Sequence, residues 1–174
     1  MIVLYILGGL LALIALLALI APKSYHVHRS ITINRPKQEV FAYLKSIKNQ
    51  DEWSPWKAKD PDMKQEFIGE DGTVGFVSKW EGNKEVGVGE QEIKNIEDGE
   101  RIETELRFFK PWKSQSDAYI QTDETATGGT QVTWGFSGKN PVPMNIMMLF
   151  FNMDKAVGKD FEEGLAKLKT IMES

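Results

Sequence analysis

His26 and His28 are the only imidazoles in this 174-residue chain, so histidine-based chemistry can run only through them. They lie two apart in YHVHRSITI, a spacing that points both rings to one side of an extended segment and can offer two nitrogens to a metal. A metal site needs further ligands. The chain has no cysteine, and no carboxylate is fixed near the pair by spacing, so they are expected as exposed strand histidines. A serine nucleophile would have to take its base from the same two residues. Asp60 and Asp62 in KDPDM echo a calcium loop but lack its glycine and its closing glutamate. No glycine-rich stretch leads into Lys-Ser or Lys-Thr, the pattern that cradles phosphate. These residues form no catalytic constellation, and they imply no metal and no cofactor.

The elements that position side chains follow from periodicity. Residues 25–33 alternate, with Val27, Ile31 and Ile33 on one face of a strand. Asn34 suits an N-cap or turn and Pro36 a first helical position. Val40, Phe41, Leu44 and Ile47 then form an apolar stripe on a helix of about three turns. NQDEWSPW predicts a second short helix or turn ending at Ser54-Pro55. From Gln65 to Ser137 the chain reads as successive strands: FIG, VGFVSKW, VGVGEQEIKNI, RIETELRFF, SQSDAYIQT and TQVTWGFSG. Their turns fall at Gly72, Gly82-Asn83, Glu97-Asp98-Gly99, Pro111 and Gly128-Gly129. Ile102, Leu106 and Phe108 oppose Glu103, Glu105 and Arg107, and Val132, Trp134 and Phe136 align. Short turns between alternating strands predict an antiparallel meander. A last stripe of Ile146, Phe150, Met153, Val157, Phe161, Leu165, Leu168 and Met172 predicts about seven turns of helix, bent near 150–154, where Asn152 and Asp154 are start signals. The expected class is α+β: a strand, two short helices, the rest of a sheet of about six to seven antiparallel strands, and a long amphipathic helix lying across it.

Four segments carry a resemblance. They are Ser30-Ile31-Thr32-Ile33-Asn34-Arg35-Pro36 leading to Val40-Phe41, then Trp53-Ser54-Pro55-Trp56, then Gly129-Thr130-x-Val132-Thr133-Trp134, and Asp160-Phe161-x-x-Gly164-Leu165-x-x-Leu168-Lys169. In order and spacing, over residues 25–172, they are similar to the START/Bet v 1-like superfamily, in its polyketide cyclase/dehydrase-like (SRPBCC) branch. The resemblance implies a helix-grip fold with an internal cavity for apolar or amphipathic molecules. It makes Trp53, Trp56, Phe76, Trp80, Phe108, Trp134, Phe136, Phe150, Met153, Val157, Phe161 and Leu165 the candidate ligand-binding set. Core filling is the alternative for each, since large aromatics dominate core packing. Gly158 and Gly164 lower helix propensity and either admit close approach of the sheet or leave room for a ligand. Met144, Met147, Met148 and Met153, with the stiff Asn140-Pro141-Val142-Pro143 segment, are expected at the cavity's lining or mouth.

Residues 1–22 carry no charged side chain, and every charge lies in the following 152 residues. Residues 2–21 are apolar and, as a helix, span about 30 Å, the thickness of a bilayer's hydrocarbon core. No basic residue precedes the run, and cleavage after Ala21 would set Pro22 at +1, so retention as an anchor is expected over removal as a signal. The expected division is an anchor over residues 1–22 and one ligand-binding domain over residues 23–174. Lys23, Arg29, Arg35 and Lys37 follow the span, which by the positive-inside bias puts the domain in the cytoplasm. A net charge of −4 with basic residues scattered singly excludes a nucleic-acid surface.

Three functions stay open. The leading one is a membrane-anchored module that holds a lipid- or polyketide-like molecule between sheet and helix without turning it over. The second is a cyclase or dehydrase acting through Gln91, Arg107 or Tyr119, although alternation turns Arg107 and Tyr119 away from the apolar face. The third is a protein-interaction module similar to chaperone activators of this superfamily, which requires a filled interior and an exposed apolar patch.

Overall fold

Strict alternation in the first strand sets the frame. In β1 (Ser24–Ile33), Tyr25, Val27, Arg29, Ile31 and Ile33 face inward, and His26, His28, Ser30 and Thr32 face out. The computed structural model describes all 174 residues. Helix α1 (Ile2–Ile20) precedes β1. After it come α2 (Lys37–Lys45), a 3-10 turn (Ile47–Asn49), α3 (Gln50–Trp53) and α4 (Pro55–Lys59). The meander follows as β2 (Lys64–Ile68), β3 (Val77–Glu81), β4 (Val88–Glu97), β5 (Arg101–Lys110), β6 (Ser114–Glu124) and β7 (Thr130–Lys139). A second 3-10 segment (Met144–Leu149) leads to α5 (Met153–Glu173). All strands pair antiparallel in one sheet ordered β1-β7-β6-β5-β4-β3-β2. β1 returns beside β7, as an open sheet curved around one long helix requires.

The core lies between the sheet's inner face and α5, closed at one side by the short helices. Val27, Ile33, Val40, Leu44, Ile93, Ile102, Val132, Phe161, Leu165 and Leu168 are buried there. The expected stripe of α5 is thus inward from Phe161 to Met172. Gly164 admits the close approach: a Cβ there would lie 3.0 Å from the Trp134 ring and 3.2 Å from Pro55. At Gly158 a Cβ would overlap the Arg29 guanidinium, which reaches across the helix to Asp154 (2.8 Å) and Glu162 (2.6 Å).

Three local expectations change. The helix after β1 stops at Lys45 because Asp71, from the β2–β3 loop, captures the next residues. Its carboxylate accepts from the Ser46 hydroxyl (2.5 Å) and the Ile47 amide (2.9 Å), turning the chain into the 3-10 segment. The end expected at Ser54-Pro55 is there, where Ser54 closes α3, but an unforeseen helix starts at once, Pro55 taking the first position of α4. The closing stripe does not run through Ile146 and Phe150. The chain breaks at 150–152, and the Asn152 side chain accepts from the Lys155 amide (3.0 Å) to begin α5 afresh.

Helix α1 projects from the domain with its side chains exposed almost throughout. Its 19 residues have a mean hydropathy of 2.9 over the most apolar window, long and apolar enough to cross a membrane. Only its base is held. Asn145, fully buried in the second 3-10 segment, donates through its amide to the carbonyls of Ala18 (2.8 Å) and Ala21 (3.1 Å). One residue past the end of β7, the Asn140 backbone N–H donates to the Lys23 carbonyl (2.8 Å).

Candidate ligand cavity

Small side chains at matched register positions open a space that large ones would have filled. Ser78, Gln91, Leu106 and Ser116 stand opposite one another across β3, β4, β5 and β6, and Trp80, Gly89, Phe108 and Ser114 form the next row. Gly89 has a bulge beside it and lies under the Trp80 ring, where a Cβ would sit 2.6 Å from the ring. With Ser78, Ser114, Ser116 and Ala118 also short, the sheet's inner face is hollow, and α5 bridges it. The result is a cavity of about 430 Å3 lined by 27 residues, 15 of them hydrophobic.

Its floor is Trp80, Leu106, Phe108, Ala118, Trp134 and Phe136, its roof Met153, Val157 and Phe161 of α5, and its side wall Ile47, Trp56 and Met63. Trp134 is the corner post. Its ring stacks on Phe161 with centroids 4.1 Å apart and meets the edges of Trp53 (4.8 Å) and Trp56 (5.5 Å). The lining residues that are exposed to solvent, Glu85 of the β3–β4 loop, Lys110, Pro111 and Trp112 at the β5–β6 turn and Ser114 beside it, mark the mouth, and Val86 is buried just inside it.

Polar groups enter at three places. Lys57 donates to the Met63 carbonyl (3.3 Å) and to Gln65 Oε1 (3.2 Å), and Gln65 Nε2 donates to Asp51 Oδ1 (2.9 Å). That chain leaves a cation and a carboxylate at the side wall. Gln91 donates to Thr104 (3.1 Å) on the floor. Across the cavity the Tyr25 hydroxyl and Ser116 Oγ are 2.8 Å apart. Burial pushes the Tyr25 phenol above its ordinary pKa, so it stays protonated and able to donate.

Of the candidate set, Trp56, Trp80, Phe108, Trp134, Phe136, Met153, Val157 and Phe161 line this cavity, and the other four lie elsewhere. Trp53 is buried behind Trp134. Phe76, just outside β3, is buried against Phe67. Leu165, one turn past Phe161, points into the solid core. Phe150 is 85% exposed because the chain leaves helical phase before it. Nor do Met144, Met147, Met148 and the 140–143 segment line the cavity. They gather at the base of α1, where Asn145 pins them, and Met153 alone of the four methionines faces inward.

Gln91 faces the cavity. Arg107 lies on the outer surface, held by Glu90 (2.6 Å), Glu92 (2.7 Å) and Glu105. Tyr119 is also outside, beneath the Arg101 guanidinium and 3.1 Å from His26 Nε2. His26 and His28 stack on each other at 5.1 Å on that outer face, and no three His, Asp or Glu side chains converge anywhere to hold a metal ion. Tyr25, Asp51, Lys57 and Gln65 were not foreseen as cavity residues. Parity alone could have found Tyr25, which shares the face of Val27. The side-wall trio could not be found that way, because it comes from two short helices and an edge strand.

The family model described as "Polyketide cyclase / dehydrase and lipid transport" matches residues 24–173. Among solved structures, a protein from Nitrosospira multiformis superposes with a TM-score of 0.62 at 16% identity, covering 86% of this chain and 97% of its own. The ginseng major latex-like protein 151 from Panax ginseng gives 0.60 at 11% identity, with 87% and 99% covered. The Aha1 dimer from Colwellia psychrerythraea gives 0.60 at 13% identity, with 86% and 96% covered. These likenesses are of fold. No curated protein matches the sequence.

Proposed function

The chain belongs to the polyketide cyclase/dehydrase and lipid transport family, of Bet v 1-like (SRPBCC) fold, and on that premise we propose that its domain, residues 23–174, binds one apolar or amphipathic small molecule between sheet and α5. The cavity carries the proposal. Its volume of about 430 Å3 falls within the range of small-molecule sites, which are mostly apolar with a few polar groups fixing orientation. The polar groups stand apart on opposite walls, Lys57 with Asp51 on one and Tyr25 with Ser116 on another. A ligand with a hydrocarbon body and a polar end fits this better than a pure hydrocarbon. The open interior speaks against a role played only by the outer surface. A cyclase- or dehydrase-type reaction in the same space would draw on Gln91, the one candidate that faces the cavity, and on Asp51, Lys57 and the Tyr25 hydroxyl.

We take α1 as a retained anchor, with the domain on the cytoplasmic side because Lys23, Arg29, Arg35 and Lys37 follow it. Anchoring would keep the cavity where lipid-derived molecules are concentrated. The test of binding is native mass spectrometry and solvent extraction of the detergent-purified full chain, with titration of an environment-sensitive dye. Co-purification of one lipid-like species and saturable dye displacement are expected. No bound species together with no saturable dye binding overturns the proposal, and release of a chemically altered ligand would turn it towards the enzyme. Reporters fused after Ser174, one active only in the cytoplasm and one only outside, test the orientation.

A further inference from the structure

Strand register fixes where the cavity opens relative to α1. Ser24 pairs with Lys139, Gly138 with Ser116, Ser114 with Phe108, Lys110 with Val88, and Val88 with Glu81. These residues therefore lie along one end of the sheet. The β3–β4 loop, the β5–β6 turn and the 140–152 connection leave the sheet at that end, and so does α1, through Pro22 and Lys23. Two of these, the β3–β4 loop and the β5–β6 turn, carry the exposed residues that line the cavity, Glu85, Lys110, Pro111 and Trp112, so its mouth is at this end. At about 4.8 Å per strand, the β5–β6 turn stands only about 10–14 Å to the side of β1, where α1 leaves the domain.

This end is also where the domain leaves its largest apolar groups uncovered. Trp112 is 78% exposed, and Met144, Met147, Phe150 and Phe151 are exposed on the connection that packs against the base of α1. The connection cannot swing away freely, because the Asn145 amide holds the Ala18 and Ala21 carbonyls. Lys23, Lys84, Lys110, Lys113 and Lys139 lie on the strand ends and loops at this end, with Glu81, Glu85 and Asp60 on the β3–β4 side. At the opposite end, the turns carry Glu97, Asp98, Glu100, Asp123 and Glu124, with Arg101 among them. Aromatic and aliphatic groups ringed by lysines are the composition of a surface that sits at a lipid interface.

We propose that the Trp112 turn and the 144–151 segment seat in the interfacial layer of the same bilayer that α1 crosses, so that the cavity mouth opens onto lipid rather than onto water. The proposal rests on α1 being a retained span. A ligand would then pass between membrane and cavity without crossing bulk solvent, and the lysines would bear on anionic headgroups. Met144, Met147, Phe150 and Phe151 would be buried by lipid rather than by protein.

The chain has no cysteine, so single cysteines report depth without interference. Trp112→Cys, Phe150→Cys and, at the far end in the exposed β6–β7 turn, Ala126→Cys are made in the full chain. Each is labelled with a fluorophore whose emission moves to the blue in an apolar medium. The chains are reconstituted into vesicles of phosphatidylcholine with phosphatidylglycerol and exposed to a lipid-borne quencher. The labels at 112 and 150 should show a blue shift and several-fold stronger quenching than the label at 126. The two positions lie on different loops and are exposed, so misfolding of one variant leaves the other to decide. Chains that resist alkaline carbonate but quench equally at all three positions overturn the seating while leaving the span intact. Chains that carbonate strips from the vesicles overturn the span, and the seating with it.

Discussion

Trp134→Ala probes whether the aromatic corner both supports the fold and walls the cavity. Trp134 is 7% exposed, stacked on Phe161 and edge-on to Trp53 and Trp56. Truncating a buried Trp to Ala costs about 3–5 kcal/mol, of which three ring pairs at about 0.5–1.5 kcal/mol each supply a large share. One face of the ring already borders open space, so fewer atoms lose partners and the lower figure, about 3 kcal/mol, is expected. At about 2–4 °C per kcal/mol for a chain of this length, the melting temperature should fall by roughly 6–12 °C. Trp134→Phe keeps a ring on Phe161 and should lose about half as much. Urea titrations of the detergent-solubilised full chain, followed by far-ultraviolet circular dichroism, measure both. The void left by Trp134→Ala joins the cavity, so indole should restore stability to this variant selectively, by about 2.7 kcal/mol at a hundredfold excess over its Kd. A loss below about 1 kcal/mol, or equal stabilisation of wild type and variant by indole, would refute the reasoning.

Ala118→Phe places a ring into the cavity from the floor; it should abolish saturable dye binding while far-ultraviolet circular dichroism stays unchanged. Asn145→Ala removes the two donors at the base of α1, and two carbonyls left unpaired cost about 1–3 kcal/mol each where they remain buried. Limited proteolysis should then cut the α1–β1 junction faster than in wild type, and an unchanged rate would contradict the clamp. The hydrogen bonds from Arg29 hold the Asp154 carboxyl below its usual pKa. A depressed carboxylate contributes stability that is present above the unfolded value, near pH 4, and that is lost as pH falls through the folded value. The gap in melting temperature between wild type and Asp154→Asn should therefore be open at neutral pH and close under acid; a constant gap would show that the charge is not what matters.

Much of this protein is legible one residue at a time, because burial repeats with the period of the local backbone. Alternation placed Val27, Ile33, Ile102 and Val132 inward, three-and-four spacing placed Phe161, Leu165 and Leu168 on the inner face of α5, and glycine-marked turns made the strands neighbours. The uncharged first 22 residues stand out by composition alone. Tertiary structure decided what depends on residues distant in sequence meeting in space. Asp71 ends α2 from 25 residues beyond Ser46, and Asn145 clamps the end of α1 from more than 120 residues away. The cavity belongs to this second kind. Inward-facing Trp53 and Leu165 are core and inward-facing Trp56 and Phe161 are wall, and periodicity cannot tell them apart, because it reports direction and not what stands opposite. That was settled by register, which aligned Ser78, Gly89, Ser114 and Ser116 into a hollow, and by α5, which spans the hollow instead of filling it.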